Sequence, residues 1–250
     1  MKISLVQSGF LTSGVRANLD RLDGLIGSGN GADVYVLHEM FSQGQCIDPT
    51  AVAETMDGES VTWLMDKADA LDAAVIGTLA IRENGLFRNR LIMAMPGGRL
   101  EYYDKHHLFG YSGESRFFTA GCERRIVSFR GVRFLLQVCY DLRFPVFCRN
   151  RDDYDVAVFP AYWPIRRQVA WDILLRARAI ENQAYVIGVN AVGEDMFGQY
   201  DGHSVLVGPY GDILASAPDR QECMVTGEID MERLEHFRTK FPVLADGIDD

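Results

Sequence analysis

The chain has 250 residues, 48% of them hydrophobic, enough to bury a substantial core in one large domain or two small ones. Lysine and arginine total 25 against 35 aspartates and glutamates, and the net charge of −10, with no basic stripe, disfavours nucleic acid or an anionic membrane surface as a partner. No apolar run approaches the ~18 residues of a membrane span, and the opening MKISLVQSGF is too short and too polar for a signal peptide. Five irregularly spaced cysteines (Cys46, Cys122, Cys139, Cys148, Cys223) offer neither a disulfide framework nor a CxxC zinc pair. A cytoplasmic protein with reduced thiols, folded as a single domain over 1–250, is expected.

Along the chain, short apolar runs alternate with helical patterns. The first ten residues alternate like a strand; Leu19, Leu22, Leu25 and Ile26 then predict a helix over 15–26 that stops at Gly27 and leads into the strand DVYVL (33–37). Ser60 is the predicted cap of a helix with Val61, Leu64, Ala68 and Leu71 on one face, followed by a buried strand over 73–81. Two hairpins follow: LIMAM (91–95) to RLEYY (99–103) through Pro96, Gly97 and Gly98, and RRIVSF (124–129) to VRFLLQV (132–138) through Arg130 and Gly131. The second half repeats the rhythm, with a strand over 155–159, a helix over 166–182, a strand over 184–190, a hairpin over 204–216 and a strand over 224–230. Strands buried on both faces need helices on one side and something apolar on the other. Two sheets packed face to face with helices outside, an α/β sandwich, meet that need.

Three strand exits carry chemistry. Cys139 ends an apolar run and opens the turn CYDLRFP (139–145), in which Pro145 can start a helix. A strand that delivers its last residue into such a turn presents that side chain at the carboxyl end of a sheet, where α/β enzymes place their reacting groups. Glu39 follows DVYVL and Lys105 follows LEYYD (100–104). Taken singly, these read as a packed thiol, a loop carboxylate and a solvated lysine. Brought together, a thiol, an acid and a cation can carry out acyl transfer without a cofactor.

The wording around them joins the three. LHEMFSQG (37–44), YYDKHHLF (102–109), GESRFFTAG (113–121) and VCYDLRFP (138–145) resemble, in order and context, the motifs of the nitrilase superfamily of carbon–nitrogen hydrolases. AYWP (161–164), AWDILLRARAIENQAYVIGVN (170–190), GHSVLVGPYGDIL (202–214) and the tail KFPVLADGIDD (240–250) look most like its omega-amidase branch. The resemblance implies a four-layer αββα sandwich, usually extended across a dimer interface, so a homodimer or higher homo-oligomer is expected. It implies amide hydrolysis through a cysteine thioester, with Cys139 as nucleophile, Glu39 as general base and acid, and Lys105 with the Tyr140 backbone N–H stabilising the oxyanion. No cofactor and no metal is called for.

Glu114 matches a second glutamate that in this superfamily supports the lysine or positions the substrate; the plainer reading is a loop carboxylate paired with Arg116 or another base. Phe41, Arg143, Tyr162, Trp163 and Arg167, with Arg166, are the substrate-binding candidates, although Arg143 also reads as the ion-pair partner of Asp141 within the elbow. His106 and His107, adjacent on a strand, would point to opposite faces and so not share a metal ion. Two positions depart from the superfamily pattern: His38 stands where proline commonly precedes the glutamate, and Tyr162 where omega-amidases often carry asparagine. The implied substrate is the terminal amide of a short 2-oxo dicarboxylic acid, such as 2-oxoglutaramate or 2-oxosuccinamate. The alternatives are an N-carbamoyl amine, a nitrile or a deaminated peptide amide on the same fold, a catalytically silent binding module, or a redox sensor pairing Cys139 with Cys148.

Overall fold

In the computed structural model, which describes residues 1–11, 14–27, 29–44 and 46–246, the central strands of the first half are covered on both faces. β1 (Lys2–Gln7) buries five of its six side chains. Ile3 and Leu5 face one apolar core while Val6 faces another. This division runs through the whole first sheet, whose order is β14 (Cys223–Glu228), β1, β2 (Val34–Val36), β3 (Ala74–Glu83), β4 (Leu86–Met95) and β5 (Arg99–Asp104). Strands β1, β2 and β3 run parallel, and the outer pairings are antiparallel.

On the outer face of that sheet lie α1 (Val15–Ile26), which has the predicted bounds, and α2 (Glu59–Leu71). Leu19, Leu22 and Ile26 of the first and Val61, Leu64 and Ala68 of the second pack on Tyr35, Val75 and Ile92 of the sheet. Ser60 is not the cap of α2 but lies one residue inside it. The Glu54 carboxylate takes over the role, accepting the Ser60 N–H at 2.8 Å, and the Ser60 hydroxyl is consumed between Glu54 and Ser42.

The second sheet mirrors the first. Its order is β13 (Ile213–Ser216), β12 (Val205–Val207), β9 (Tyr185–Asn190), β8 (Val156–Ala161), β7 (Val132–Leu136) and β6 (Arg125–Phe129), with β7, β8 and β9 parallel. A short α3 (Pro145–Cys148) follows β7, and α4 (Gln168–Glu181) covers the outer face, its Trp171 and Leu175 lying so close over Gly188 of β9 that a Cβ there would meet them. The inner faces of the two sheets share one core, so the layers run helix, sheet, sheet, helix, as the resemblance implies.

Three elements lie outside the predicted set. β3 and β4 form a long hairpin turned by Asn84 and Gly85, both at left-handed φ (52° and 76°). A small hairpin, β10 (Val192–Asp195) and β11 (Gly198–Asp201), stands apart from both sheets, and α5 (Met231–Lys240) follows β14. Gly247–Asp250, the end of the 240–250 motif, lie outside the described residues.

One close approach fixes the path of the segment after β2. A Cβ on Gly77 of β3 would sit 2.6 Å from the ring of Phe41, which is fully buried and packs on Trp63. Gly77→Ala is therefore expected to destabilise the fold by about 1–3 kcal/mol in urea unfolding. Adding Phe41→Leu should recover part of that loss; equal stability of Gly77→Ala and wild type would contradict the packing.

Candidate active site

The carboxyl ends of β2 and β7 and the segment after β5 converge. Glu39 lies three residues beyond β2, at the start of a turn in which Met40 takes φ of 51°. Its carboxylate is 5% exposed and heavily engaged: Oε1 accepts from Lys105 Nζ at 2.9 Å and Asn89 Nδ2 at 2.7 Å, and Oε2 accepts from the Tyr162 N–H at 3.0 Å. Lys105 is the first residue past β5, and its amide is tied to the Asn89 carbonyl at 2.9 Å. Its ammonium also reaches both oxygens of Glu114, at 3.1 and 3.0 Å. Burial opposes the charge on Lys105, but the Glu114 and Glu39 carboxylates outweigh it and hold the group well above the ordinary lysine range.

Cys139 opens a 3₁₀ turn over Cys139–Arg143 at φ of 44°, a left-handed conformation that a non-glycine residue keeps only under constraint. The constraint is Asp141. Fully buried, it accepts from the Val138 N–H (2.9 Å), the Tyr103 hydroxyl (2.8 Å) and the His107 N–H (2.9 Å), with His107 Nδ1 at 2.8 Å, which bolts the elbow to the residues on either side of Lys105. Burial pushes the Cys139 thiol well above the ordinary cysteine range, and the Glu39 charge adds to this. Lys105 and the Tyr162 amide pull the other way without prevailing. The resting sulfur is thus a protonated thiol beside a carboxylate, the arrangement for deprotonation during attack rather than for a standing thiolate.

These groups face a cavity of about 410 Å³. Tyr140, Tyr162, Trp163, Arg143, Arg166 and Arg167 line it, and Phe197 reaches it from the β10–β11 tip. Arg143 lies over the Trp163 ring at 4.9 Å and Arg167 over Phe109 at 5.0 Å, yet none of the three arginines has a carboxylate partner among the described residues. Burial and the neighbouring Arg166 and Arg143 charges lower the pKa of Arg167. The amide of Tyr140 sits at the start of the 3₁₀ turn, where the turn itself supplies no acceptor.

Glu114 pairs with Lys105, as the resemblance implies, and not with Arg116. Several other expectations change here. Arg143 stacks on Trp163 while Asp141 is spent on the elbow, so the predicted ion pair between them is absent. Phe41 is buried in the helix-covered face of the first sheet and does not line the cavity. His106 and His107 lie beyond β5 in a bend, their rings 4.5 Å apart, so the opposite-face argument fails; they stack instead on Phe147 and Phe144. No group of three or more metal-binding side chains occurs among the described residues. Cys148 is fully buried against Gln137, with burial pushing its thiol up to about 12, and the second thiol lining the cavity is Cys46. The two departures from the family pattern touch each other: the His38 and Tyr162 rings meet edge to face at 5.5 Å, and His38 Nδ1 lies 2.7 Å from the Glu39 carbonyl. Asn89, between two arginines ahead of the apolar run LIMAM, carries no signal in the sequence that marks it as a site residue.

A thiol, a carboxylate and an ammonium at three strand ends of an αββα sandwich define a carbon–nitrogen hydrolase site, and residues 2–239 match the carbon–nitrogen hydrolase family, to which the chain belongs. Among its relatives, omega-amidase YafV of Escherichia coli (strain K12) is 41% identical, the match covering 98% of this chain and 96% of the relative. The 2-oxoglutaramate amidase of Bacillus subtilis (strain 168) is 33% identical over 86% of this chain and 85% of its own. The solved structure of XC1258 from Xanthomonas campestris, described as a CN-hydrolase superfamily protein with an arsenic adduct in the active site, superposes with a TM-score of 0.94. It is 40% identical and the match covers 100% of this chain and 98% of the other.

The buried His38 couples stability to pH. Burial pushes its imidazole below 6.5, against the opposing pull of the Glu39 and Gly9 backbone and of the Glu39 and Glu222 charges. The unfolded chain takes up a proton as pH falls through 6.5 while the folded chain does not, so native stability is lost on that side. Between about pH 7.5 and about pH 5.5 the Tm of the wild type should fall further than that of His38→Asn, by the equivalent of about 1 kcal/mol. Parallel pH profiles would contradict this.

Proposed function

We propose that this protein hydrolyses the terminal amide of a short 2-oxo dicarboxylic acid monoamide, such as 2-oxoglutaramate or 2-oxosuccinamate, releasing ammonia, and that residues 1–250 act as one catalytic domain. The observation that carries this reading is the meeting of the Cys139 thiol, Glu39 and Lys105 in a cavity lined by three arginines that lack carboxylate partners among the described residues. The similarity to an omega-amidase and a 2-oxoglutaramate amidase supports it.

In this reading Glu39 removes the thiol proton as sulfur attacks the amide carbon. The carbonyl electrons move onto oxygen, which meets the Lys105 ammonium and the Tyr140 N–H; one such donor is worth roughly 3 kcal/mol. Collapse of the tetrahedral adduct breaks the C–N bond, Glu39 returns its proton to the nitrogen, and ammonia leaves a thioester on Cys139. Glu39 then deprotonates a water that attacks the thioester. The acid is released and the sulfur takes back a proton. Glu114 keeps Lys105 charged and in place. Arg143, Arg166 and Arg167 receive the substrate carboxylate, while Tyr162 and Trp163 wall the pocket.

The activity belongs, in this proposal, to a cytoplasmic homo-oligomer. All five cysteines are free, and no helix among the described residues is long and apolar enough to cross a membrane. Val169, Ile173 and Ile180 stand exposed along α4, with Tyr210, Ile213 and Phe241 also bare, an apolar surface suited to a second copy. Sedimentation should show a dimer or larger species; a monomer at micromolar concentration would remove this part.

An ammonia-release assay tests the reaction. Wild type should act on 2-oxoglutaramate and 2-oxosuccinamate, and Cys139→Ala should lose at least about a thousandfold. Charge-neutral Arg→Gln changes at 143, 166 and 167 should raise KM for these acids about tenfold while sparing small neutral amides. Activity in Cys139→Ala equal to wild type would remove the nucleophile, and activity confined to an N-carbamoyl amine would remove the substrate class.

A further inference from the structure

Asn89 lies in β4 and is 1% exposed, at a position where an apolar residue would cost nothing to bury. Its Nδ2 gives one hydrogen to Glu39 Oε1 (2.7 Å) and the other to Glu114 Oε1 (3.0 Å). That pairing settles the amide's orientation, because a flip would set its oxygen against two carboxylates. Through its carbonyl the same residue holds the Lys105 backbone at 2.9 Å. Asn89 therefore touches both carboxylates of the site and the backbone of the lysine between them.

The effect on Glu39 follows from counting acceptor sites. A carboxylate oxygen has two lone-pair sites. On Oε1 both are filled, by Lys105 and Asn89; on Oε2 the Tyr162 N–H fills one and leaves one open. Residue type matters as much as position. Lysine or arginine here would neutralise a carboxylate that must act as base, and aspartate would add a third negative charge around a single ammonium. A neutral group with two donors is what the pair of carboxylates can use.

We propose that Asn89 is a positioning residue: by saturating Oε1 it leaves Oε2 as the single open site on Glu39 for the Cys139 proton, and it holds Glu39 and Glu114 at the separation Lys105 bridges. This rests on the reading of Cys139 as nucleophile and Glu39 as its base.

The experiment compares wild type, Asn89→Leu and Asn89→Asp in two assays. One is ammonia release from 2-oxoglutaramate across pH. The other is alkylation of Cys139 by iodoacetamide across pH, read by mass spectrometry on the peptide bearing that cysteine. In Asn89→Leu, kcat should fall about tenfold or more with KM within about twofold, and the acid limb of both profiles should move up by about one pH unit, because the charged form of Glu39 loses a donor. Asn89→Asp should move the limbs further. Limbs that coincide with wild type in both assays would overturn the proposal. Should Asn89→Leu fail to fold, Asn89→Ser, which keeps one donor, is expected to show a smaller displacement in the same direction, and none would overturn it. If wild type releases no ammonia from any amide yet the alkylation limb still moves in Asn89→Leu, the proposed substrate class falls and the role of Asn89 stands.

Discussion

The ammonium of Lys105, 2% exposed, lies between the carboxylates of Glu39 and Glu114, and the surrounding architecture exists to keep it there. Two buried carboxylates and one ammonium leave an excess negative charge, which a protein interior tolerates only when further donors surround it. Here the Tyr162 N–H, the Phe109 N–H and both hydrogens of the Asn89 amide fill that need. Most of those donors lie in or just after strands of the first sheet, and the Tyr162 N–H reaches the cluster from the second. Burial first, and then this excess charge, keep the proton on the Cys139 sulfur.

Rigidity at the site is stored in the backbone. Cys139 and Met40, the neighbour of Glu39, hold left-handed conformations that cost about 1–3 kcal/mol apiece, and each has a local restraint to match. For Met40 it is the bond from its N–H to Thr78 Oγ1 at 2.9 Å; for Cys139 it is the Asp141 network reaching Tyr103 and His107. Because Tyr103 and His107 flank Lys105, the elbow that carries the Cys139 sulfur is tied to the segment that carries the ammonium, although the two follow strands of different sheets.

How far this was legible in the sequence depended on whether the deciding contact is local. The α1 bounds follow from apolar spacing ended by Gly27, both local properties. Glu39, Lys105 and Cys139 were visible because each sits at a strand exit in a distinctive run of residues, and Glu114 because its run is equally distinctive. Asn89 was not, because RNR ahead of LIMAM looks like a loop; only pairing with β3 and β5 makes it interior. The Asn84–Gly85 turn was readable from its dipeptide and was passed over, whereas α5, MERLEHFRTK, is so polar that only Leu234 is buried and no apolar stripe announces it. Phe41 and the Arg143–Asp141 ion pair fail for the opposite reason. Neighbours in sequence suggest both, but Gly77 and Trp63 claim the ring, and Asp141 has better partners than the arginine, which lines the cavity instead.

The protonated state of the sulfur carries a consequence for the protein's endurance. Peroxides and metabolic electrophiles attack thiolates far faster than thiols, so a cysteine held protonated spends its resting life in the unreactive form. Shelter from oxidative wear thereby comes first from the burial of Cys139 and then from the Glu39 charge, the two influences that keep the proton on sulfur.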